Sequence, residues 1–475
     1  MKRKSCFGVA VTLKFIQKNM SNKIYFSLIL LLLYCLPSNA QSKKWTLSEC
    51  VNYALEHNIS IKQTELDIKT STIDKRGAVG SFLPSLNGNA SHSWNIGLNQ
   101  DITTGLLQNQ TTQFTSIGAN VGVDIYKGLQ NQNTLRRANL SIVAAKYQLL
   151  KMQEDIALNV ANAFLQVLFN KENLKVQADQ MSINQKQLIR SQELVNAGTI
   201  PKGDLLDVKA TLASDNQKVI TAENSLLISK LSLAQLLQLD NFQDFDVVDD
   251  TEAKDENSIL LQTPIAIYDK AKEQRTELKI AQTNLEIAEK NVAIAKGALQ
   301  PTLRGFYNFN TRISYADIAL RDNSGNVIGT QAPPAFFSQF GDNKGQSFGA
   351  QLTIPVFNGF AAKNNVERSQ VNLEKSKIAV EQQDLDLQRN VYTAFTDAKG
   401  ALNAHESSIV ALESRQEAYH YAKEKFDVGL MNSFDLNQSQ TLLSTAQSDV
   451  LRTKYDYIFK IKILEFYFGI PIIKN

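Results

Sequence analysis

One stretch of the chain occurs twice, and this duplication limits the possible folds more than any other feature. Residues 198–239 and 429–470 align without a gap, so that one offset in residue number relates every pair. Gly198 corresponds to Gly429, and Asp204 corresponds to Asp435. Because a repeat of this kind marks a repeated structural unit, we expect two halves with the same order of helices and strands.

A second, smaller offset relates the earlier parts of the two halves. Leu83-Pro84-Ser85-Leu86 matches Gln300-Pro301-Thr302-Leu303. The predicted units are therefore 41–239 and 263–475, joined by 240–262. The difference between the two offsets indicates an insertion in the second half, which we assign to a surface loop over about 314–346 that contains Pro333-Pro334.

Residues 1–40 have the pattern of a signal peptide. Met20 offers an internal start, Ile24 to Leu36 is a 13-residue apolar run, and Ser38-Asn39-Ala40 supplies small residues for cleavage. Cys35 would instead suggest a lipoprotein, but the bulky Tyr34 before it disfavours that alternative. The segment holds six basic and no acidic residues, so its removal changes the net charge from +3 to −3, and no nucleic-acid partner is indicated.

The residues that could act in catalysis or bind a metal do not form the pattern of an enzyme. Cys50 is the one cysteine left after cleavage, so neither a disulfide within the chain nor a cysteine metal site is expected. The four histidines lack metal-ligand spacing, and no nucleophile motif or phosphate-binding glycine loop occurs. We expect no catalytic residue, metal or cofactor.

Long helices are predicted in both halves. Trp45 to about Gly80 reads as one helix, with Thr46 and Glu49 at capping-box spacing, and Thr263-Pro264 opens its counterpart. Residues 129–197 lack Gly and Pro and carry apolar residues at alternating spacings of three and four, a coiled-coil seam that recurs in the second half at the larger offset. Such a helix would be on the order of 100 Å long.

Four segments instead alternate with period two, one pair in each half, with one apolar and one polar face. They fit transmembrane β-strands, although a soluble pair of hairpins on a core has the same pattern. The export signal, with Trp94, Tyr126 and Phe357 near strand ends, favours the membrane. Asn89, Asn120 and Gln351 would then face a lumen, and the residues that would face lipid are Trp94, Val121, Val123, Phe309, Leu352 and Ile354.

Four strands cannot close a barrel, and an open sheet edge in lipid leaves backbone groups unsatisfied. Eight strands from two copies would enclose only side chains, whereas twelve from three copies leave room for a lumen. The polar strand faces would line such a lumen. The acidic segment 240–262 permits two readings, a solvated linker or a small packed belt around the helices.

With these features the sequence resembles the TolC-like outer-membrane efflux proteins. The Leu-Pro-Ser-Leu strand start, the strand ends Tyr126-Lys127-Gly128 and Phe357-Asn358-Gly359, and the paired Gly…Asp-Leu turns carry the resemblance. It implies a mixed α and β membrane protein, a homotrimer with a twelve-stranded transmembrane barrel continued by a periplasmic α-helical barrel. The implied function is the exit duct of a tripartite efflux pump or type I secretion system. The implied partners are a periplasmic adaptor and an inner-membrane pump of RND or ABC type.

Two groups of site residues follow from the resemblance. The tip turns that would meet the adaptor contain Ala197, Gly198, Thr199, Pro201, Val428, Gly429 and Leu430. Acids would ring the periplasmic entrance at Asp435, and Asp204 with Asp207 form the corresponding pair in the first half. Gln438 stands where a second acid is expected in the second half. An aspartate at a helix start also serves as a cap, so both roles stay open.

An exported coiled-coil scaffold or adhesin without a pore is the alternative of a different class. It would need no apolar strand faces, and it would be released from membranes by carbonate or urea.

Overall fold

A computed structural model describes residues 44–100, 106–239, 245–249 and 256–471. The predicted signal peptide, residues 1–40, lies outside the described residues. Within the described part of the chain, no helix is both long enough and apolar enough to cross a membrane.

The first half begins with a two-residue strand and ends with a helical hairpin. Its elements are β1 (Lys44–Trp45), α1 (Leu47–His57), α2 (Ile59–Gly80), β2 (Ser85–Gln100), β3 (Leu107–Lys127), α3 (Gln130–Asn196) and α4 (Lys202–Leu237). The connecting segment contributes β4 (Asp246–Val247) and a 3₁₀ helix (Glu256–Leu261).

The second half has the same order of main elements, with an addition between its strands. Its elements are α5 (Pro264–Gln274), α6 (Thr276–Gly297), β5 (Thr302–Ser314), β6 (Ile318–Arg321), β7 (Val327–Gln331), α7 (Phe336–Asp342), β8 (Gly345–Thr353), α8 (Ala361–Asp427) and α9 (Ser433–Tyr467). The long helices α3 and α8 each have 67 residues, a length of about 100 Å at 1.5 Å per residue.

The helix predicted from Trp45 to Gly80 is wrong in two respects. Trp45 belongs to β1, which pairs with β4, and the helix is divided at Asn58. Asn58 has extended backbone angles, its side-chain oxygen accepts from the Ser60 N–H, and its Nδ2 donates to the Leu236 carbonyl at 3.0 Å. This contact with α4 stabilises the break. The predicted capping box of Thr46 and Glu49 is confirmed.

The apolar core lies in the helical part of the molecule, around the middle of α3 and α8. Val160, Phe164 and Val167 of α3 are fully buried against α1, α4 and α9. Ile267, Val391 and further apolar residues form a second cluster where α5, α8 and α9 meet. Three or more helices converge here, so their apolar residues form a core rather than the narrow contact of two paired helices.

The acidic connecting segment packs against this core where the structure describes it. Phe245 and Val247 are buried in the first cluster, and Ile259 is buried in the second. Lys171 and Lys230 hold the Asp246 carboxylate at 2.9 and 3.0 Å. The reading as a solvated linker is therefore wrong for these residues, and the packed alternative fits them.

A buried arginine separates α5 from α6, at the position where Asn58 separates α1 from α2. The Arg275 side chain is 4 % exposed, forms ion pairs with Glu154 and Glu277 at 3.1 and 3.0 Å, and lies 3.8 Å from the Phe466 ring. Burial raises the pKa of Glu154. Burial also acts to raise the pKa of Glu277, but the hydrogen bonds and charge of Arg275 outweigh it and leave that pKa below its ordinary value.

The four main strands form one antiparallel sheet in the order β2-β3-β5-β8. A β-bulge in β3 lies between Asp124 and Tyr126, opposite the start of β5. The strands of the first half are longer than the predicted ten residues, with 16 in β2 and 21 in β3. The last strand is shorter than expected, because β8 ends at Thr353 although the alternation continues to Val356.

The segment 314–346, predicted as a surface loop, contains secondary structure of its own. It contains the hairpin β6–β7 and the short helix α7, which packs on β5. Gln339 of α7 exchanges hydrogen bonds with the Ser314 backbone at 2.9 and 3.0 Å, and the Asn343 side chain donates to the Arg312 carbonyl. β8 begins at Gly345, opposite Asn310 of β5. The side chains of Gln339 and Asn343 therefore supply hydrogen bonds to the last residues of β5, which β8 does not reach.

Candidate functional site

The residues predicted to face lipid share one face of the sheet. Val121 is aligned with Leu86 and Tyr307, and Leu352 is aligned with Leu303. Side chains alternate along a strand and aligned residues lie on the same side, so Trp94, Val123 and Phe309 belong to this apolar face too. Ile354 lies one residue beyond the end of β8, so the sheet of a single chain does not include it.

The opposite face is polar and carries a row of amides and hydroxyls across all four strands. Asn87, Asn120, Asn308 and Ser347 are aligned, with side-chain contacts of 3.5 Å between the first two and 3.4 Å between the last two. The predicted lumen residues Asn89, Asn120 and Gln351 lie on this face. Phe306 is an exception that the sequence reading missed; its ring lies over Gly349.

The far ends of the helical hairpins form two tight turns of the same design. After α3, the Thr199 N–H donates to the Leu194 carbonyl, and Gly198 has a φ of 71°. After α8, the Leu430 N–H donates to the Lys425 carbonyl, and Gly429 has a φ of 76°. This Schellman arrangement requires a left-handed residue, for which glycine is favoured. The predicted tip residues lie in these turns.

Apolar side chains are exposed at the second turn. Val428 is 70 % exposed, Leu430 is 80 % exposed, and Phe434, in the first turn of α9, is 66 % exposed. Leu206 is exposed near the start of α4. The sequence analysis did not identify Phe434 or Leu206 as exposed. A signal was present, because each large apolar residue lies close to an acidic residue at the start of a helix.

The aspartates at the helix starts do not serve as caps. Asn432 caps α9, because its side-chain oxygen accepts from the Asp435 N–H at 2.8 Å. Pro201 precedes α4, and no side chain caps that helix. In the described part of the chain, the carboxylates of Asp204, Asp207 and Asp435 make no hydrogen bond or ion pair. Asp204 and Asp435 lie in the first turns of α4 and α9, where the positive end of the helix dipole favours a carboxylate.

The starts of α4 and α9 lie side by side. The Asn437 side chain contacts Thr211 Oγ1 at 3.4 Å, and Thr211 donates to the Asp207 carbonyl. Asp435 is two residues from Asn437, so the structure brings the acids of both halves to the same end of the molecule. The Arg190 to Asp427 ion pair, at 2.6 Å, joins α3 to α8 near the same end.

The helices that approach this end meet through a polar seam, which the sequence reading missed. Ser448 of α9 contacts Asn173 and Gln177 of α3 at 3.0 and 3.3 Å. Closer to the tip, Asn184 donates to the buried Asp215 carboxylate. Polar side-chain atoms of Asn184, Gln187, Ser191 and Gln440 are buried there without a protein partner. Apolar packing therefore holds the helices less firmly here than in the core.

The histidines take part in local contacts. His57 contacts the Tyr53 carbonyl, His405 contacts Thr453, and His420 pairs with Glu424. His92 contacts Thr115 on the apolar face of the sheet. Among the described residues, no group of His, Cys, Asp and Glu has the arrangement of a metal site.

Comparison with known proteins identifies a family that spans both halves. A family model described as outer membrane efflux protein matches residues 50–238 and 267–462. The outer membrane protein TolC of Vibrio cholerae is 23 % identical over 428 residues, which cover 87 % of this chain and 88 % of that protein. The cation efflux system protein CusC of Escherichia coli is 22 % identical over 424 residues, covering 85 % and 82 %.

Solved structures show the same fold. A crystal structure of CusC superposes with a TM-score of 0.73 at 16 % identity, covering 92 % of this chain and 95 % of that one. The mixed arrangement of long helices and a four-stranded sheet is therefore the fold of outer-membrane efflux channels.

Proposed function

Because the chain belongs to the outer membrane efflux protein family, we propose that three copies form the outer-membrane exit duct of a tripartite efflux pump or type I secretion system. The duct conducts passively, and the energy comes from an inner-membrane pump of RND or ABC type. A periplasmic adaptor connects the two. The transported compound is not assigned.

The observation that carries the proposal is the four-stranded sheet, which has one apolar face, one polar face and two open edges. An outward apolar face is what lipid requires of a transmembrane strand. Open edges are not tolerated in lipid, so the sheet needs further copies to close. Three copies supply twelve strands, and the row of Asn87, Asn120, Asn308 and Ser347 then lines the lumen.

The helices extend the duct into the periplasm. Each of the 67-residue helices is about 100 Å long, several times the hydrocarbon thickness of a bilayer. Their amphipathic packing leaves polar surface for a water-filled interior. The location that follows is the outer membrane with a large periplasmic portion. A pore-free scaffold has no use for the apolar strand face.

The helix tips form the periplasmic entrance in this proposal. Asp204, Asp207 and Asp435 carry carboxylates without a partner among the described residues, and three copies would place them around one axis. The exposed Val428, Leu430 and Phe434 offer an apolar anchor to the adaptor. Along the approach to the tips, the polar seam between α3 and α9 replaces part of the apolar packing between the helices.

Mass determination in detergent tests the assembly. We expect a homotrimer that dissociates only on heating, because each chain leaves two strand edges unsatisfied. Native mass spectrometry of the purified protein measures this directly. A stable monomer contradicts the proposed architecture.

Adjacent residues on β3 test the orientation of the sheet. Val121→Arg places a charge in lipid and impairs insertion, at a cost of about 2–4 kcal/mol if the residue lies near the midplane. Asn120→Arg places the same charge in the lumen, so it inserts normally and changes conductance. Folding yield in vesicles and single-channel recordings are the measurements. Equal loss of insertion by both variants means that the assigned faces are wrong.

The acids at the entrance are tested against the helix cap beside them. Asp435→Ala, alone and with Asp204→Ala and Asp207→Ala, weakens cation selectivity and block by multivalent cations, because a negative ring favours cations. Asn432→Ala removes the cap, lowers stability by about 1 kcal/mol and leaves selectivity unchanged. Reversal potentials in planar bilayers and thermal unfolding separate the two. Unchanged selectivity in the triple variant rejects the acidic ring.

The tip turn is tested at Leu430, since substitution at Gly429 also strains the backbone. Leu430→Asp abolishes adaptor co-purification and efflux, because a charge replaces an exposed apolar anchor, whereas Leu430→Met retains both. Conductance of the isolated channel stays the same in both variants. We expect Gly429→Trp to lose efflux as well. Full efflux by Leu430→Asp would show that the adaptor does not dock on this turn.

A further inference from the structure

The duplication is preserved in the register of the sheet. The smaller offset, which carries Pro84 onto Pro301, carries the bounds of α1 and α2 onto those of α5 and α6. The larger offset, which carries Gly198 onto Gly429, carries α3 onto α8. Ser85 is aligned with Gly122, and Thr302 is aligned with Thr353. The smaller offset carries Ser85 onto Thr302, and the larger offset carries Gly122 onto Thr353. The two hairpins are therefore equivalent residue by residue.

Within the chain, β3 and α3 of the first half pack against β5 and α6 of the second half, and we call this contact the internal junction. In the sheet, Phe114 to Lys127 is aligned with Ser314 to Thr302. At the sheet–helix boundary the backbones of Gly128 and Gly297 approach so closely that a Cβ on either would clash. Among the helices, Arg137 donates to Asn291 at 3.3 Å, and Thr276 donates to Glu154 at 3.2 Å.

The two edge strands of the sheet, with the helices next to them, correspond to the two sides of the internal junction. In a single chain these two sides have no partner. β8 and α8 correspond to β3 and α3, and β2 and α2 correspond to β5 and α6. On these edges Phe348 is 85 % exposed and Trp94 is 60 % exposed, while Ile117 and Thr311, their equivalents inside the chain, are half-buried and buried. Gly359 and Gly80, the equivalents of Gly128 and Gly297, have no atom near the position of a Cβ.

We propose that β8 and α8 of one copy join β2 and α2 of the next copy in the register of the internal junction. This inference rests on the proposed assembly and specifies its contacts. Transferring the internal register by the two offsets aligns Gly345 with Gly97, Ser347 with Asn95, Phe348 with Trp94, and Leu352 with Ala90 of the neighbouring copy.

The faces of the two edges agree with this register. Phe348, Leu352, Trp94 and Ala90 all lie on the apolar face, and Ser347 and Asn95 both lie on the polar face. A slip of one residue would place the apolar side chains of one copy on the polar side of the next. The transferred register therefore keeps the apolar face and the polar face continuous from one copy to the next.

The exposed apolar residues of the helices match in the same way. α8 exposes Val371, Ile378 and Leu385, and α2 exposes Ile59, Leu66 and Ile73, each series spaced by seven residues. The internal contact between Glu154 and Thr276 transfers to Leu385 against Ile59 of the next copy. The other two pairs follow at the same spacing, so both exposed stripes become covered.

One transferred contact is an ion pair. Arg137 and Asn291 correspond to Arg368 of α8 and Asp74 of α2. Both of these are exposed, and neither has a hydrogen bond or ion pair within the described residues. Their opposite charges fit a direct contact between two copies at these positions.

The early end of β8 has a physical reason in this arrangement. Residues 123–127 of β3 extend beyond the start of β2, so β5 is their only strand partner. Their equivalents, residues 354–358, would be paired only by β2 of the next copy. A single chain therefore ends β8 at Thr353, and assembly extends it to about Asn358.

Disulfide trapping tests the register. We expect Ser347→Cys with Asn95→Cys, in one chain, to give a covalent trimer after mild oxidation, and Gln351→Cys with Ser91→Cys to do the same. Within one chain the two positions lie on opposite edges of the sheet, about 14 Å apart or more at 4.8 Å per strand step, so the link must join copies. Wild-type protein controls for Cys50, which is fully buried.

Shifted pairs provide the matched controls. Ser347→Cys with Ser93→Cys, or with Gly97→Cys, displaces the partner by two residues, to about 7–8 Å, beyond ready disulfide formation. We expect several-fold less covalent trimer from these pairs in gels run without reductant. If a shifted pair links best while native mass shows a trimer, the register is wrong and the proposed function stands. A monomer by native mass refutes both.

A charge exchange tests the helical part. Arg368→Asp and Asp74→Arg each lower the temperature at which the trimer dissociates on heating, and the double exchange raises it again toward the wild-type value. A double exchange that is no more stable than the single variants overturns the assignment of this ion pair.

Discussion

The backbone groups at the edges of a four-stranded sheet are the constraint on which the rest of this structure depends. In lipid, each unsatisfied N–H or C=O costs several kcal/mol. The sheet leaves two edges open, at β2 and β8. Along the part of β5 that β8 does not reach, Gln339 of α7 and Asn343, the residue after α7, supply side-chain hydrogen bonds instead. In the described residues, no side chains of a neighbouring helix supply such hydrogen bonds to the edges at β2 and β8. Another copy of the chain can provide these backbone groups with partners.

The helical part is free of this constraint, because a helix satisfies its own backbone and its ends need only caps. It can therefore vary its packing along its length. Around Phe164 several helices enclose an apolar core, and Arg275 and its two glutamates anchor the break between α5 and α6. Toward the tip, Asn173, Gln177 and Ser448 replace apolar contacts with polar ones. The helical part therefore has an apolar middle and a more polar end.

Local patterns predicted the elements well where one interaction dominates. The period of two located the four strands and their faces, and the capping box at Thr46 located a helix start. The prediction failed where distant residues decide. Asn58 breaks a continuous helical pattern because it reaches the Leu236 carbonyl, 178 residues away. The acidic segment reads as solvated, yet Phe245 and Val247 are buried, because β1 and the helices around it provide their partners.

The sequence by itself determined the duplication, the alternation of the strands and the two glycine turns, because each follows from spacing along the chain. Only the tertiary structure decided that Asn432 rather than Asp435 caps α9, that α3 and α9 meet through polar side chains, and that β8 ends at Thr353. These depend on which atoms come within hydrogen-bonding distance across helices and strands. Spacing fixes which face a residue occupies, whereas the packing of distant segments fixes what that face meets.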